Sequence, residues 1–180
     1  MNRLVAIIFI LVFTISVYAQ DATSSKEVIP NGFQGVVLGL SLDDAKAALF
    51  NHPYLLFRGD PDVSLLSRKD ERLIQCEGSE FVDRAVIQLK DNEVYLISFM
   101  LNRDFIDYYT MYRTLAEKYG EPNSLSPTEA VWEDGSVRMS LEKPLTVKYL
   151  SMKMFSDIIA ASEKEQSLNA KSREDFLEGF

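Results

Sequence analysis

The sequence predicts an α+β fold, in which an antiparallel sheet of about six or seven strands carries two main helices on one face. Apolar residues recur at helical spacing in residues 41–50 and 104–119. Residues 82–101 and 130–141 each contain two β-rich runs joined by turn residues. Because each helix precedes antiparallel strands, the order of elements suggests two fused helix-plus-strands units, although residue identity between them is weak.

Residues 1–19 have the pattern of a secretory signal peptide. A basic start at Arg3 precedes an almost unbroken apolar run over residues 4–17, and Ala19 ends a suitable cleavage sequence. The run is too short for a comfortable membrane span. We therefore expect a periplasmic or secreted protein that begins near Gln20 and has no stable membrane span once the signal is cleaved.

The first unit is predicted over residues 33–101, after a small, polar and flexible lead-in at 20–32. Its helix begins after Ser41, whose side chain can cap the free backbone N–H groups, and it ends before Pro53. The strands of this unit are predicted at residues 54–57, 73–76, 82–89 and 94–101.

The second unit is predicted over residues 102–150. Its helix at 104–119 ends at Gly120, which can adopt the left-handed conformation of a helix C-terminus. The dipeptide that ends at Gly135 favours a tight hairpin. The strands of the second unit are predicted at residues 130–133, 136–141 and 145–149. After this unit, residues 151–180 form either a C-terminal helix or a tail.

The charge and the scarcity of histidine and cysteine exclude several function classes. The net charge of −8 argues against nucleic acid as a partner, because nucleic acid binding rewards a basic surface. His52 is the single histidine and Cys76 the single cysteine, too few for a typical metal site. We expect Cys76 to be a small buried residue in a strand, and His52 to be a polar turn residue. No metal, cofactor or catalytic residue is predicted.

Aromatic residues of the second unit are the candidate binding residues. Tyr and Trp at a half-exposed surface favour protein recognition, although they could equally cover the sheet. Adjacent tyrosines of one helix cannot both face the core, so one of Tyr108 and Tyr109 should lie at the surface. The predicted binding residues are Tyr108, Tyr109, Tyr112 and Trp132.

Three short segments resemble parts of small exported αβ modules. Residues 39–46 (GLSLDDAK) are similar to their glycine and capped-helix opening, and residues 119–122 (YGEP) and 132–135 (WEDG) to their helix end and hairpin. Such modules include the SmpA/OmlA outer-membrane-assembly lipoproteins and the repeats of β-lactamase inhibitor proteins, and uncharacterised exported bacterial proteins are also similar. The resemblance covers roughly residues 35–150, but this chain lacks the lipid-bearing cysteine of the assembly lipoproteins.

These observations predict a non-catalytic exported module that binds a cell-envelope protein or a small ligand. The alternative is a hydrolase that acts on cell-wall or glycan material through two carboxylates facing each other across a cleft. Carboxylates are plentiful in the chain, but most of them lie at predicted turns, where solvated surface is expected.

Overall fold

The computed structural model describes residues 27–66 and 70–179, so the predicted signal peptide lies outside the described residues. The described residues form the predicted α+β fold. The helices are α1 (Leu42–Phe50), α2 (Tyr108–Tyr119) and α3 (Met152–Glu178). The strands are β1 (Gly32–Phe33), β2 (Val36–Val37), β3 (Leu55–Leu56), β4 (Val63–Leu65), β5 (Glu71–Gly78), β6 (Val82–Lys90), β7 (Glu93–Leu101), β8 (Ser124–Leu125), β9 (Glu129–Glu133), β10 (Val137–Glu142) and β11 (Thr146–Ser151).

The main sheet has nine antiparallel strands in the order β3-β5-β6-β7-β11-β10-β9-β8, and β4 also pairs with β5. All seven predicted strands are present in it. The two strands beyond the prediction, β4 and β8, are three and two residues long. Segments this short contain too few residues for an alternating pattern to be recognised. The same applies to β1 and β2, which form a separate two-stranded sheet. The two-residue β3 was indicated instead by the continuous apolar run at residues 54–57.

Strands β7 and β11 join the two halves of the sheet. Their register places Phe99 opposite Val147 and Ile97 opposite Tyr149. Side chains of directly paired residues lie on the same face of a sheet. One apolar face therefore continues from the strands of the first predicted unit into those of the second.

Helices α1 and α2 both pack on this apolar face. Ala45 and Leu49 of α1 and Leu115 of α2 belong to one buried cluster with Phe99 and Trp132 of the sheet. Burial of such side chains contributes on the order of 1.5–3 kcal/mol each, so this single core supplies most of the driving force for folding.

Side-chain hydrogen bonds to the backbone set the first residues of α1 and α2. Helix α1 begins after Ser41 as predicted, and the Ser41 hydroxyl accepts a hydrogen bond from the backbone N–H of Asp44. Helix α2 begins at Tyr108, so the predicted start at residue 104 is wrong. A turn precedes it, and the Asp107 carboxylate accepts the Thr110 N–H at 2.9 Å, which sets the later start.

Helix α3 differs from the other two helices because it has no buried residue along its 27 residues. Its first turn is capped by the Ser151 hydroxyl. Apolar side chains such as Leu168 are more than half exposed. Among the described residues, no helix combines the length and apolar character needed to cross a membrane.

Candidate functional site

The predicted binding residues Tyr108 and Tyr109 lie on different sides of α2. Tyr109 is 66% exposed, which confirms that one of these two adjacent tyrosines lies at the surface. Tyr108 is half-buried, and its hydroxyl donates to the backbone carbonyl of Leu141 at 3.1 Å. The Lys143 ammonium lies 5.6 Å from the centre of the Tyr108 ring, within the range of a cation–π contact.

The other two predicted binding residues connect α2 to the sheet. Trp132 is only 1% exposed, and its indole Nε1 donates to the Gly120 carbonyl at 2.7 Å. The half-buried Tyr112 has its ring 6.2 Å from that of Trp132, and its hydroxyl donates to Glu121. A binding role for the four residues stays a prediction, and Tyr109 alone of the four presents most of its side chain to solvent.

A cavity of about 320 Å³ lies between α2 and the apolar face of the sheet. Its volume is at the lower end of the range typical of small-molecule sites. Its lining is mostly aliphatic and aromatic. The lining residues are Phe33, Tyr54, Phe81, Val82, Phe99, Leu101, Ile106, Met111, Thr114, Leu115, Lys118, Tyr119, Val147 and Tyr149.

Helical periodicity and strand alternation place these side chains around the cavity. Met111, Leu115 and Tyr119 follow at intervals of four residues, so one stripe of α2 faces the sheet. Val147 and Tyr149 are two residues apart on β11 and share the apolar face. The wall of the cavity is therefore built from two elements whose separation is set by packing.

Aromatic rings form the outer part of the cavity. Phe33 and Phe81 line the cavity and are each 40% exposed. The Phe81 ring lies 5.7 Å from Tyr54 and 5.6 Å from Phe105, in edge-to-face arrangements that favour aromatic pairs. Because Phe105 is itself 62% exposed, the aromatic surface continues from the cavity to the outside of the protein.

Three polar residues of the cavity lining lie in or near the last turn of α2, namely Lys118, Tyr119 and Tyr149. Lys118 and Tyr119 are neighbours in that turn, and Tyr119 is close enough to Tyr149 to affect its ionisation. Burial raises the pKa of the Tyr149 phenol, and the neighbouring Tyr119 raises it further. Both phenols are therefore neutral near pH 7 and can donate hydrogen bonds. Neither hydroxyl is bonded to a described residue, and Lys118 has no ion pair within the described ranges.

His52 lies beneath the aromatic residues rather than in a solvated turn, so the expectation of a polar turn residue is wrong. The ring is 5% exposed and stacks on Phe99 at 5.9 Å, because the chain folds back after α1. Its Nδ1 accepts the Tyr54 N–H at 3.2 Å, which places the proton of the neutral ring on Nε2. That Nε2 is buried without a hydrogen-bond partner in the described structure, and burial lowers the His52 pKa.

Acidic and thiol side chains do not converge on this site. No aspartate or glutamate is among the residues that line the cavity. The buried Asp62 accepts hydrogen bonds from the Arg58 side chain and backbone, which makes it a structural ion pair. Cys76 is buried, as predicted, and burial raises its thiol pKa to about 12. Within residues 27–66 and 70–179, no group of three potential metal ligands is found.

The cavity and the residues that line it were not predicted from the sequence. Tyr119 and Tyr149 belong to a predicted helix and a predicted strand, but nothing in the periodicity indicates that a space separates these two elements. The exposed apolar side chain of Phe81, next to the predicted strand at 82–89, is a signal that could have indicated an open aromatic edge.

The comparisons with known proteins point to a single family. A family model described as the TP0088 domain matches residues 31–161. The match includes strands of both predicted units and ends within α3. No curated protein and no solved structure matches the chain, and the resemblance to SmpA/OmlA lipoproteins stays a prediction. The chain belongs to the TP0088 domain family, a family of uncharacterised bacterial proteins.

Proposed function

We propose that this protein is a non-catalytic binding module of the bacterial cell envelope, and that its cavity binds a small apolar ligand. The observation that carries the proposal is the mostly apolar cavity of about 320 Å³ between α2 and the sheet. A domain of this size gains stability by filling such a space with its own side chains. A space left open beside exposed aromatic rings therefore favours a binding role.

The chemistry of the lining supports binding rather than hydrolysis at this site. General acid–base catalysis by paired carboxylates needs two of them across the substrate, and the cavity lining contains none. The polar side chains of the lining are hydrogen-bond donors suited to orient a ligand, and they are those of Tyr54, Thr114, Lys118, Tyr119 and Tyr149.

An exported location is part of the proposal. It rests on the signal-peptide pattern of residues 1–19. The mass of the protein recovered from the periplasm or culture medium tests it. A mass that corresponds to a start near Gln20 supports export with cleavage, whereas an intact chain in the cytoplasm contradicts it.

An envelope protein is the second candidate partner, and the exposed aromatic residues beside the cavity favour it. Tyr109 and Phe105 are 66% and 62% exposed, and both belong to the α2 region. Exposed aromatic side chains are enriched in protein-recognition surfaces. An assembly role like that of the SmpA/OmlA lipoproteins is a special case of this candidate, and crosslinking from position 109 in cells would test it.

The hydrophobic fluorophore N-phenyl-1-naphthylamine tests the ligand-binding proposal. We expect a saturable rise in fluorescence with one site per chain. Thr114 lines the cavity at an exposed position of α2, so Thr114→Trp should obstruct it and weaken binding about tenfold or more. Arg113→Trp adds the same ring at the neighbouring exposed position and serves as the control. Absent saturation, or equal loss in both variants, would contradict the proposal.

A further inference from the structure

We propose that the ligand of this cavity is an aliphatic monocarboxylate, whose chain occupies the apolar part and whose carboxylate is bound by Lys118, Tyr119 and Tyr149. This inference rests on the proposed function, because it names the chemical class of the ligand for the same site. It follows from the separation of polar and apolar groups along the cavity.

The polar end of the cavity offers donors that the described residues do not use. Tyr149 is 5% exposed, and its hydroxyl has no hydrogen-bond partner among the described residues. A hydroxyl that faces the cavity without a protein partner would lose its contact with water when a ligand fills the space, so a ligand atom that accepts its proton is favoured. Tyr119 adds a second such donor, and Lys118 adds a positive charge. Three donors together require an oxygen acceptor on the ligand.

The opposite part of the cavity is mostly apolar, although Tyr54, whose ring lies 5.7 Å from that of Phe81, carries a phenol there. Phe99, Leu101 and Ile106 line it, with Phe81 and Val82 beside them. A polar ligand would lose its hydration there without recovering hydrogen bonds. An unbranched or lightly branched hydrocarbon chain loses no hydrogen bonds when it enters, and its affinity grows with the apolar area that is buried.

The charges around the polar end limit the head group to one negative charge. Lys118 is the single cationic residue in the lining, and it opposes the negative end of the α2 dipole and the Glu27 carboxylate near Tyr119. The carbonyls of this turn already accept hydrogen bonds, including that of Lys118 from the Glu27 N–H at 3.0 Å. A dianionic phosphate monoester would leave one charge uncompensated, whereas a carboxylate is matched by Lys118 alone.

Displacement of N-phenyl-1-naphthylamine by three matched ligands tests this inference. Dodecanoate, dodecanol and dodecylamine share one chain and differ in the head group. For the unaltered protein we expect dodecanoate to bind about tenfold more tightly than dodecanol, and dodecylamine to bind most weakly. Dodecanoate affinity should fall as salt is added, because Lys118 is exposed and its charge is screened.

Two variants assign the preference to the proposed residues. Lys118→Met keeps the length of the side chain but removes its charge, so dodecanoate should bind only as well as dodecanol. Lys164→Met makes the same change at an exposed position of α3 and should leave the preference intact. Tyr149→Phe should weaken both oxygen-bearing ligands several-fold, and Tyr95→Phe, which alters a phenol bonded to Gln88 outside the cavity lining, should weaken neither.

Chain length provides an independent test of the apolar part. Each added methylene should tighten carboxylate binding by up to about fourfold until the cavity is full, after which the gain stops. Equal affinity of dodecanoate and dodecanol, with the fluorophore still bound, would overturn this inference and leave the proposed function standing. If neither the fluorophore nor any of the three ligands binds, both proposals fail.

Discussion

Helices α1 and α2 cover the same face of the sheet, but they do so at different distances. The backbone of α1 lies against β2, β3 and β7, whereas that of α2 stands farther off the strands. Helix α1 turns the small Ala45 and the fully buried Leu49 towards the core. Helix α2 buries Leu115 and has the larger Tyr112 and Tyr119 only partly buried beside it.

The difference shows that two helices with the same sequence plan can pack on one sheet in different ways. Both are N-capped, amphipathic and followed by antiparallel strands. Small inward residues let α1 approach the sheet and complete the core. Bulky tyrosines around α2 hold it away from the sheet, and the space beneath it is the cavity. The size of the side chains at the interface, rather than their spacing, separates a helix that completes the core from one that borders a cavity.

Truncation of the central leucine in each helix gives the largest expected effects. Leu49→Ala should lower the free energy of unfolding by about 4 kcal/mol, because Leu49 is fully enclosed and its removal leaves a closed void. Leu115→Ala should cost less, about 2 kcal/mol, because Leu115 already borders a cavity and solvent can occupy the added space. Urea unfolding followed by circular dichroism measures both values.

For fluorophore affinity we expect the reverse order of effects, with the larger change in Leu115→Ala and the smaller in Leu49→Ala. Leu115→Ala changes the shape of the cavity and should alter fluorophore affinity, whereas Leu49→Ala should leave it unchanged at low urea. Equal losses of stability in the two variants, with unchanged binding in both, would show that α2 packs as closely as α1. That result would contradict the proposed difference between the two helices.

The cap of α1 gives a smaller effect that is confined to stability. Ser41→Ala removes the hydroxyl that accepts the Asp44 N–H at 3.2 Å, and it should cost about 1 kcal/mol of unfolding free energy. Binding of the fluorophore should not change, because α1 contributes no residue to the cavity. Ser162→Ala on α3 is the matched control, and a change of binding in Ser41→Ala alone would mean that α1 also shapes the cavity.

His52 lies where the two regions meet, and its titration gives the smallest expected effect. Burial lowers its pKa from the ordinary value of 6.5, so the folded protein favours the neutral ring. This contribution is fully present above pH 6.5 and is lost as the pH falls from 6.5 through the lower pKa of the folded state. The melting temperature should therefore decrease over this range.

A variant without the imidazole separates this step from other titrations. His52→Phe keeps an aromatic ring against Phe99, and its melting temperature should lack the decrease just below pH 6.5. Carboxylates titrate at lower pH and should affect both proteins equally. An identical pH profile for the two proteins would contradict the assignment to His52.

Much of the fold could be predicted from local sequence signals. Ser41 sets the start of α1, and the turn residues Asp91 and Asn92 have the positive φ angles that a tight hairpin requires. Gly120, with a φ of 82°, ends α2 as predicted. The strand predicted at residues 145–149 is present as β11, and its alternation places Val147 and Tyr149 on one face. Each of these features depends on interactions within a few residues along the chain.

Other features depend on which segments meet and were not predicted. The Trp132 indole is buried and donates to the Gly120 carbonyl, so the structure decides between the two positions that the sequence left open for it, a half-exposed surface and the core. His52 is buried because Phe33 and Phe99 come together around it. Neither contact has a counterpart in periodicity or composition.

The sequence by itself determined the α+β class, seven of the nine strands of the main sheet and the end of α2, because caps, turns and alternation act locally. Only the tertiary structure decided that α2 stands off the sheet, that a cavity opens beneath it, and that Lys118, Tyr119 and Tyr149 belong to its lining. The distance of a helix from a sheet depends on the total volume of side chains that separate segments place between them. That total cannot be deduced from the sequence of any one segment.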